Sequence, residues 1–259
     1  MSALLVTQRD EVAGTKRARE LGPFAPGSSS AESFINELWD AGVIVLSRAP
    51  AWRTSDHRSE WVYMPEEYGW SSNVSAEQGD EAAVPAAELV ECLFTDLDNN
   101  LQTSDEPILV AMIRELVEDA AYVYIELEMH KAGLELSCEA ATRKVLRTML
   151  ETLSLADICA IGWQAAKNCG KCYTDNVAKS RRHAANILPG QMSRIAEARL
   201  LKPDAWKVER PINRVSRIER VLHDVIFAGQ DEFFSWPLDV YFLEIVVPRL
   251  KNGCVVIPG

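Results

Sequence analysis

A chain of 259 residues with 47% hydrophobic and 25% charged side chains has the proportions of a globular protein, which excludes wholesale disorder. Its formal net charge of −11 excludes non-specific polyanion binding by the whole molecule, because an acidic body repels phosphates unless a local patch outweighs it. The charge is unevenly spread: residues 1–153 hold 12 Lys/Arg against 27 Asp/Glu, residues 154–259 hold 15 against 11, and residues 167–220 alone hold 13 against 5.

Met1 to Gly14 shows neither a charged start with a long apolar run nor a cleavage site, so no secretory signal is expected. Residues 1–30 mix Lys16, Arg17 and Arg19 with Pro23, Pro26, Gly27 and the serine run Ser28 to Ser30, the composition of a flexible arm and linker. Ser30 is expected to cap a helix over Ala31 to Ala41, where Phe34, Ile35, Leu38 and Trp39 share one face and Gly42 ends it. Val43 to Leu46 and Trp61 to Met64 have the short, branched or aromatic character of strands, making residues 31–84 a small mixed α/β segment. Gly69 to Pro85 is rich in turn residues and reads as a loop.

From Pro85 the pattern is helical. Leu89, Leu93 and Leu97 repeat every four residues until Asn99 and Asn100 interrupt. Asp105 and Pro107 start a longer helix to about Lys131, with Leu109, Met112, Ile113, Leu116, Ala120, Val123, Tyr124 and Leu127 as its apolar stripe and Gly133 closing it. Ser137 opens the next, running to Leu150, and Ser154 the one after. Further helices are expected over Leu155 to Asn168, Asn176 to Leu188 (ended by Pro189 and Gly190), Met192 to Leu201, Ile212 to Phe227 and Pro237 to Leu250. Cys254 to Ile257 reads as a terminal strand or tail. The expected fold is mainly α: a multi-helix globular body over residues 85–259, sharing one core with residues 31–84 or standing apart from them. No repeat of solenoid or propeller period occurs. The apolar runs Val43 to Leu46 and Ile245 to Val247 are far too short to span a bilayer, so a soluble protein without membrane contact is expected.

Six cysteines, at positions 92, 138, 159, 169, 172 and 254, accompany no export signal, so reduced thiols in a cytoplasmic setting are expected. Cys169 and Cys172 form a CxxC, the spacing of a redox pair or of half a zinc site, with Cys159, 10 residues before, and His183, 11 residues after, as the nearest further ligands. The preceding residues read as helix, whereas a redox pair wants its first cysteine at a helix start; buried structural cysteines are the competing reading. Ser154 to Gly162 resembles the first helix and turn of a helix-turn-helix, with Gly162 at the turn. Asn168 stands where a recognition helix needs an apolar anchor, and the competing reading is one helix through Gly162, the glycine permitting close packing.

The basic segment suggests two cationic rows. Lys179, Arg182 and His183, beside Arg181, fall at i, i+3, i+4, while Arg210, Arg214 and Arg217 fall at i, i+4, i+7, each a single face if helical. Such rows neutralise phosphates, with Trp206 or Tyr173 available to stack on bases, or they dock an acidic surface of the same or another chain. On the long helix, Glu115, Asp119, Tyr122, Glu126 and His130 share one stripe whose side chains are metal-ligand and acid–base types, against the plainer reading of a solvated boundary. His57 and His223 stand outside any recognisable triad, and no phosphate-binding or dinucleotide loop occurs.

No motif specifies a reaction and no cofactor is called for. The sequence therefore points to a regulatory or interaction protein that contacts nucleic acid or an acidic protein through residues 167–220, and is compatible with homo-oligomers. The alternative is a metal-dependent or redox protein built on Cys169, Cys172 and His183 or on the Glu115 to His130 stripe.

Overall fold

A computed structural model describes residues 23–48, 69–72, 95, 100–201, 206–210, 215–229 and 231–252, which are mostly helical. The expected helix at Leu89 to Leu97, the run Trp61 to Met64, most of the N-terminal arm and the Cys254 to Ile257 tail lie outside the described residues. The chain divides into two compact units, one gathering residues 1–107, 211–228 and 247–259, the other residues 108–210 and 229–246. Among the described residues no helix is long and apolar enough to cross a membrane.

In the first unit, helix α1 (Ser28–Asp40) buries Ile35 and Ala31 in a cluster with Phe24, Ala25 and Ile44, flanked by Phe34, Leu38, Trp39, Val43, Ile218 and Val221. Ser30 does not cap it: the helix begins three residues earlier than expected, at Ser28 behind Gly27, and the buried Ser30 hydroxyl donates to the Gly27 carbonyl at 3.3 Å. Its C-terminus closes on Gly42 at φ +68°, with Gly42 N–H bonded to Trp39 and Val43 N–H to Leu38. This paired closure needs the left-handed conformation that glycine adopts without a Cβ clash. Strand β1 (Ile44–Arg48) pairs antiparallel with β2 (Gly69–Ser72), with a register irregularity between Leu46 and Arg48. Gly69–Ser72, expected to open a loop, is thus paired backbone, and residues 49–68 and 73–84 lie outside the described residues, so the small mixed α/β segment expected over residues 31–84 is not established.

The helix expected over Ile212 to Phe227 starts later. Val215 and Ser216 precede it, and the regular turn Arg217–Glu219 runs into a π-helical stretch, Arg220–Ile226. The reason is the S-x-x-E box at its start. Ser216 Oγ accepts from Glu219 N–H, and the Glu219 carboxylate accepts from both Ser216 N–H (2.8 Å) and Ser216 Oγ (2.7 Å). The next two helix-start donors, Arg217 N–H and Ile218 N–H, reach the carbonyls of Pro23 and Phe24 at 2.8 and 3.1 Å.

The second unit is a helical assembly. Helix α2 (Glu106–Lys131) follows a Gln102/Asp105 capping box and carries Pro107 in its first turn, where the missing N–H costs nothing. It buries Ile113, Leu116, Val117, Ala121, Ile125 and Met129, and ends on Gly133 at φ +73°. Helix α3 (Glu139–Leu150) is capped by Cys138 rather than Ser137, whose hydroxyl lies 3.0 Å from Asn186 Oδ1. Arg143 clamps α3 to α2: it reaches Asp119 at 3.0 Å and Glu118 at 3.5 Å while its guanidinium lies 4.3 Å from the Tyr122 ring centroid.

Helix α4 (Leu155–Thr174) is central, touching α3 and the helices that follow: α5 (Arg181–Asn186), α6 (Leu188–Leu200) and the short α8 (Glu232–Ser235); α7 denotes the Arg217 helix above. It runs unbroken through both Gly162 and the CxxC. The helix-turn-helix resemblance therefore does not hold, because Gly162 lies inside a regular helix. A Cβ there would sit 2.5 Å from Ile125 Cγ1, so the glycine admits close helix packing.

Asn176, expected to begin a helix, ends α4 instead. It takes φ +57°, with Asn176 N–H bonded to Tyr173 and Val177 N–H to Cys172, the same closure as at Gly42 and one asparagine tolerates. Pro189 and Gly190, expected to terminate a helix, lie in the first turn of α6, since proline suits a helix start. The last described helix runs as α9 (Leu238–Tyr241), a π-helical stretch Phe242–Val246 and α10 (Val247–Asn252), the last belonging to the first unit.

Candidate polyanion-binding face

Of the thirteen cations in residues 167–220, the described ones include some engaged by the fold and others left exposed. Asp157 engages two of them. It sits at the third position of α4 in a capping box with Ser154, accepts from Arg199 Nε at 2.9 Å, and has Lys207 Nζ at 3.3 Å. Burial raises the Asp157 pKa, but the Ser154 hydroxyl, Arg199 and Lys207 outweigh it and hold the carboxyl below its ordinary value. The Arg199 guanidinium also donates to the Trp206 carbonyl, Lys207 Nζ reaches the Ser235 carbonyl at 3.4 Å, and Val208 N–H reaches the Ala156 carbonyl at 3.5 Å. Residues 206–208 are thus fastened to α4 and α6 at Trp206 and just after it.

The expected row Arg210, Arg214, Arg217 does not form. Arg210 is outside any helix, lies 4.7 Å from the Phe233 ring centroid and is 3.8 Å from Asp231. Arg214 lies outside the described residues, and Arg217 is buried at the start of α7. An arginine beside a capping box is drawn into the fold, so spacing alone does not make it a surface cation.

The row around His183 is altered rather than lost. Lys179 is not helical, so it does not extend the α5 face; its backbone N–H donates to His183 Nδ1 at 3.3 Å. Ser180 caps α5, accepting from His183 N–H at 3.1 Å, which explains the later start. Lys179, Arg181, Arg182 and His183 are all exposed, and the Arg181 guanidinium lies 5.7 Å from the centroid of the exposed Tyr173 ring.

Sequence reasoning missed the other half of this face. Because α4 continues to Thr174, Trp163, Lys167 and Lys171 succeed one another at four-residue intervals, about 40° apart in projection, all exposed. Lys167 Nζ lies 4.3 Å from the Trp163 ring centroid, and Trp206 meets Trp163 edge-on at 5.5 Å. The signal was present as an i, i+4, i+8 pattern, hidden by ending the helix at Asn168. Lys167, Lys171, Lys179, Arg181 and Arg182 carry no ion pair among the described residues, and Asp175 is the one carboxylate between Trp163 and His183 in sequence.

The groups expected for metal or redox chemistry are placed differently. Cys169 is fully buried, and burial, with Cys172 and Cys138 adding to it, pushes its thiol up to about 12, the opposite of a reactive thiolate. Cys172 is partly exposed on the same helix, while His183 is engaged by Lys179. Along α2, Asp119 and Tyr122 are buried against Arg143, whereas Glu115, Glu126 and His130 face solvent, so the stripe does not converge. Burial, then Glu139 and Glu126, raises the Tyr122 hydroxyl to about 12. Among the described residues no group of three His, Cys, Asp or Glu side chains is arranged to hold a metal. No family model, curated protein or solved structure matches this chain.

Proposed function

We propose that this is a non-enzymatic regulatory or interaction protein that holds a polyanionic partner, nucleic acid or an acidic protein surface, on the exposed cations of α4 and α5. One observation carries the reading: Lys167, Lys171, Lys179, Arg181 and Arg182 are exposed on or beside α4 and α5 and carry no ion pair among the described residues, with Asp175 the one carboxylate among them in sequence. Lys167 and Lys171 are about 6 Å apart along the axis of α4, inside the Debye length of about 8 Å at physiological salt, so their fields add locally even on a net acidic body.

A salt series on labelled DNA and RNA pools and on poly-glutamate tests this. Retention at low salt should fall with log salt at a slope of about −3 to −4, as expected for five contacts to a single strand. The triple variant Lys179→Glu, Arg181→Glu, Arg182→Glu should weaken binding about tenfold or more at low salt. Failure of every polyanion to bind at low salt removes the reading.

A further inference from the structure

We infer that the partner is single-stranded nucleic acid, its phosphates following Lys167, Lys171, Arg181 and Arg182 and a base stacking on Trp206. This rests on the polyanion reading and adds what charge alone leaves unexplained, the aromatic rings. Trp206 is 60% exposed, Tyr173 39% and Trp163 36%, three large rings beside unpaired cations. An acidic protein surface needs the cations but has no use for exposed rings; Lys167 lies over Trp163 and Arg181 over Tyr173, which leaves Trp206 as the most exposed platform of the three. Bases of any sequence stack on them.

The exposure of Trp206 is held in place rather than left to a loose chain. Arg199 binds its carbonyl, Lys207 and Val208 tie the following residues to Asp157, Ser235 and Ala156, and Trp163 meets the ring in a T-shaped contact. Three groups that a charge count assigns to the surface thus act as the mount of one indole. A mounted ring loses little freedom on binding, which is how preorganised sites gain affinity. Lys167 over Trp163 places a cation next to that platform, and Lys171 continues the row, so Trp163 to Lys171 covers about 12 Å of helix. At the far end of α4, Arg181 over Tyr173 repeats the pairing of ring and cation.

A duplex fits less well. Its bases are stacked on each other and hide their faces, and reading it from the major groove calls for a protruding helix, whereas α5 has six residues and Gly162 provides no turn.

The experiment uses the full chain with oligo(dT), oligo(U), a duplex of the same length and poly-glutamate, followed by anisotropy and by tryptophan fluorescence. Single strands should bind more tightly than duplex and quench the fluorescence. Trp206→Ala should weaken single-strand binding about five- to tenfold or more while leaving poly-glutamate binding unchanged, and Trp206→Phe should retain most of the affinity. Unchanged thermal unfolding of both variants shows that the loss is local. Equal binding of poly-glutamate and oligo(dT), with Trp206→Ala neutral toward both, overturns the single-strand assignment while leaving the polyanion reading intact. Absence of binding to all four probes overturns both.

Discussion

Gly162 and Cys169 show how single positions on α4 set what the helix does. At Gly162 the approach of Ile125 leaves no space for a methyl group, so Gly162→Ala should destabilise the fold by about 1–3 kcal/mol despite its better helix propensity. Urea unfolding would measure this, and in an Ile125→Ala background, which removes the colliding Cγ1, the added cost of Gly162→Ala should shrink. Cys169 combines full burial with a thiol raised to about 12, so it stays protonated across the neutral range. Alkylation of the folded protein at pH 7.5, located by peptide mass spectrometry, should label Cys172 well before Cys169, and the difference should vanish in denaturant.

Among elements, the helices whose ends were legible are those with local signals: Gly133 after α2, Ser154 before α4, Gly42 after α1. The misread boundaries involve residues that serve either end of a helix. Asn176 stands at the start of an expected helix, yet its left-handed φ closes α4; Pro189 stands at the end of one, yet it lies in the first turn of α6. Reading α4 as six residues too short concealed Lys171 and broke the basic face in two. The Asp157 network was not legible at all, since Arg199 and Lys207 lie far along the chain and their pairing arises only when α6 and the following segment pack on α4. That network predicts a pH dependence. Asp157 has a folded pKa below its unfolded value, so its contribution is full above about pH 4 and is lost as pH falls through the folded value. Asp157→Asn should therefore be less stable than the parent by about 2–4 kcal/mol at pH 7, and the gap should narrow below pH 4 in parallel denaturation curves.

Across the whole molecule, neither compact unit is one continuous stretch of chain: the path passes between them after Pro107, Arg210, Ala228 and Val246. Periodicity reveals helices but carries no information about which distant segments share a core, so this division could not be read from sequence. The second unit draws Phe233, Leu238 and Tyr241, all nearly fully buried, from residues 229–246. A chain stopped after Arg210 should consequently lose cooperative thermal unfolding by circular dichroism, although it keeps all of α2 through α6. Such a protein exposes apolar surface that residues 229–246 normally cover.

Asp157 also puts two properties of the protein in opposition. A single carboxylate restrains Arg199 and Lys207, so its removal weakens the fold and at the same time returns two positive charges to compete for phosphates. A ligand that senses charge alone, such as poly-glutamate, should then bind Asp157→Asn more tightly, while a single strand that depends on the indole at Trp206 should gain less or lose. Selection for robustness and selection for grip thus pull on one atom group in different directions, and the orientation of Trp206 is where they are reconciled.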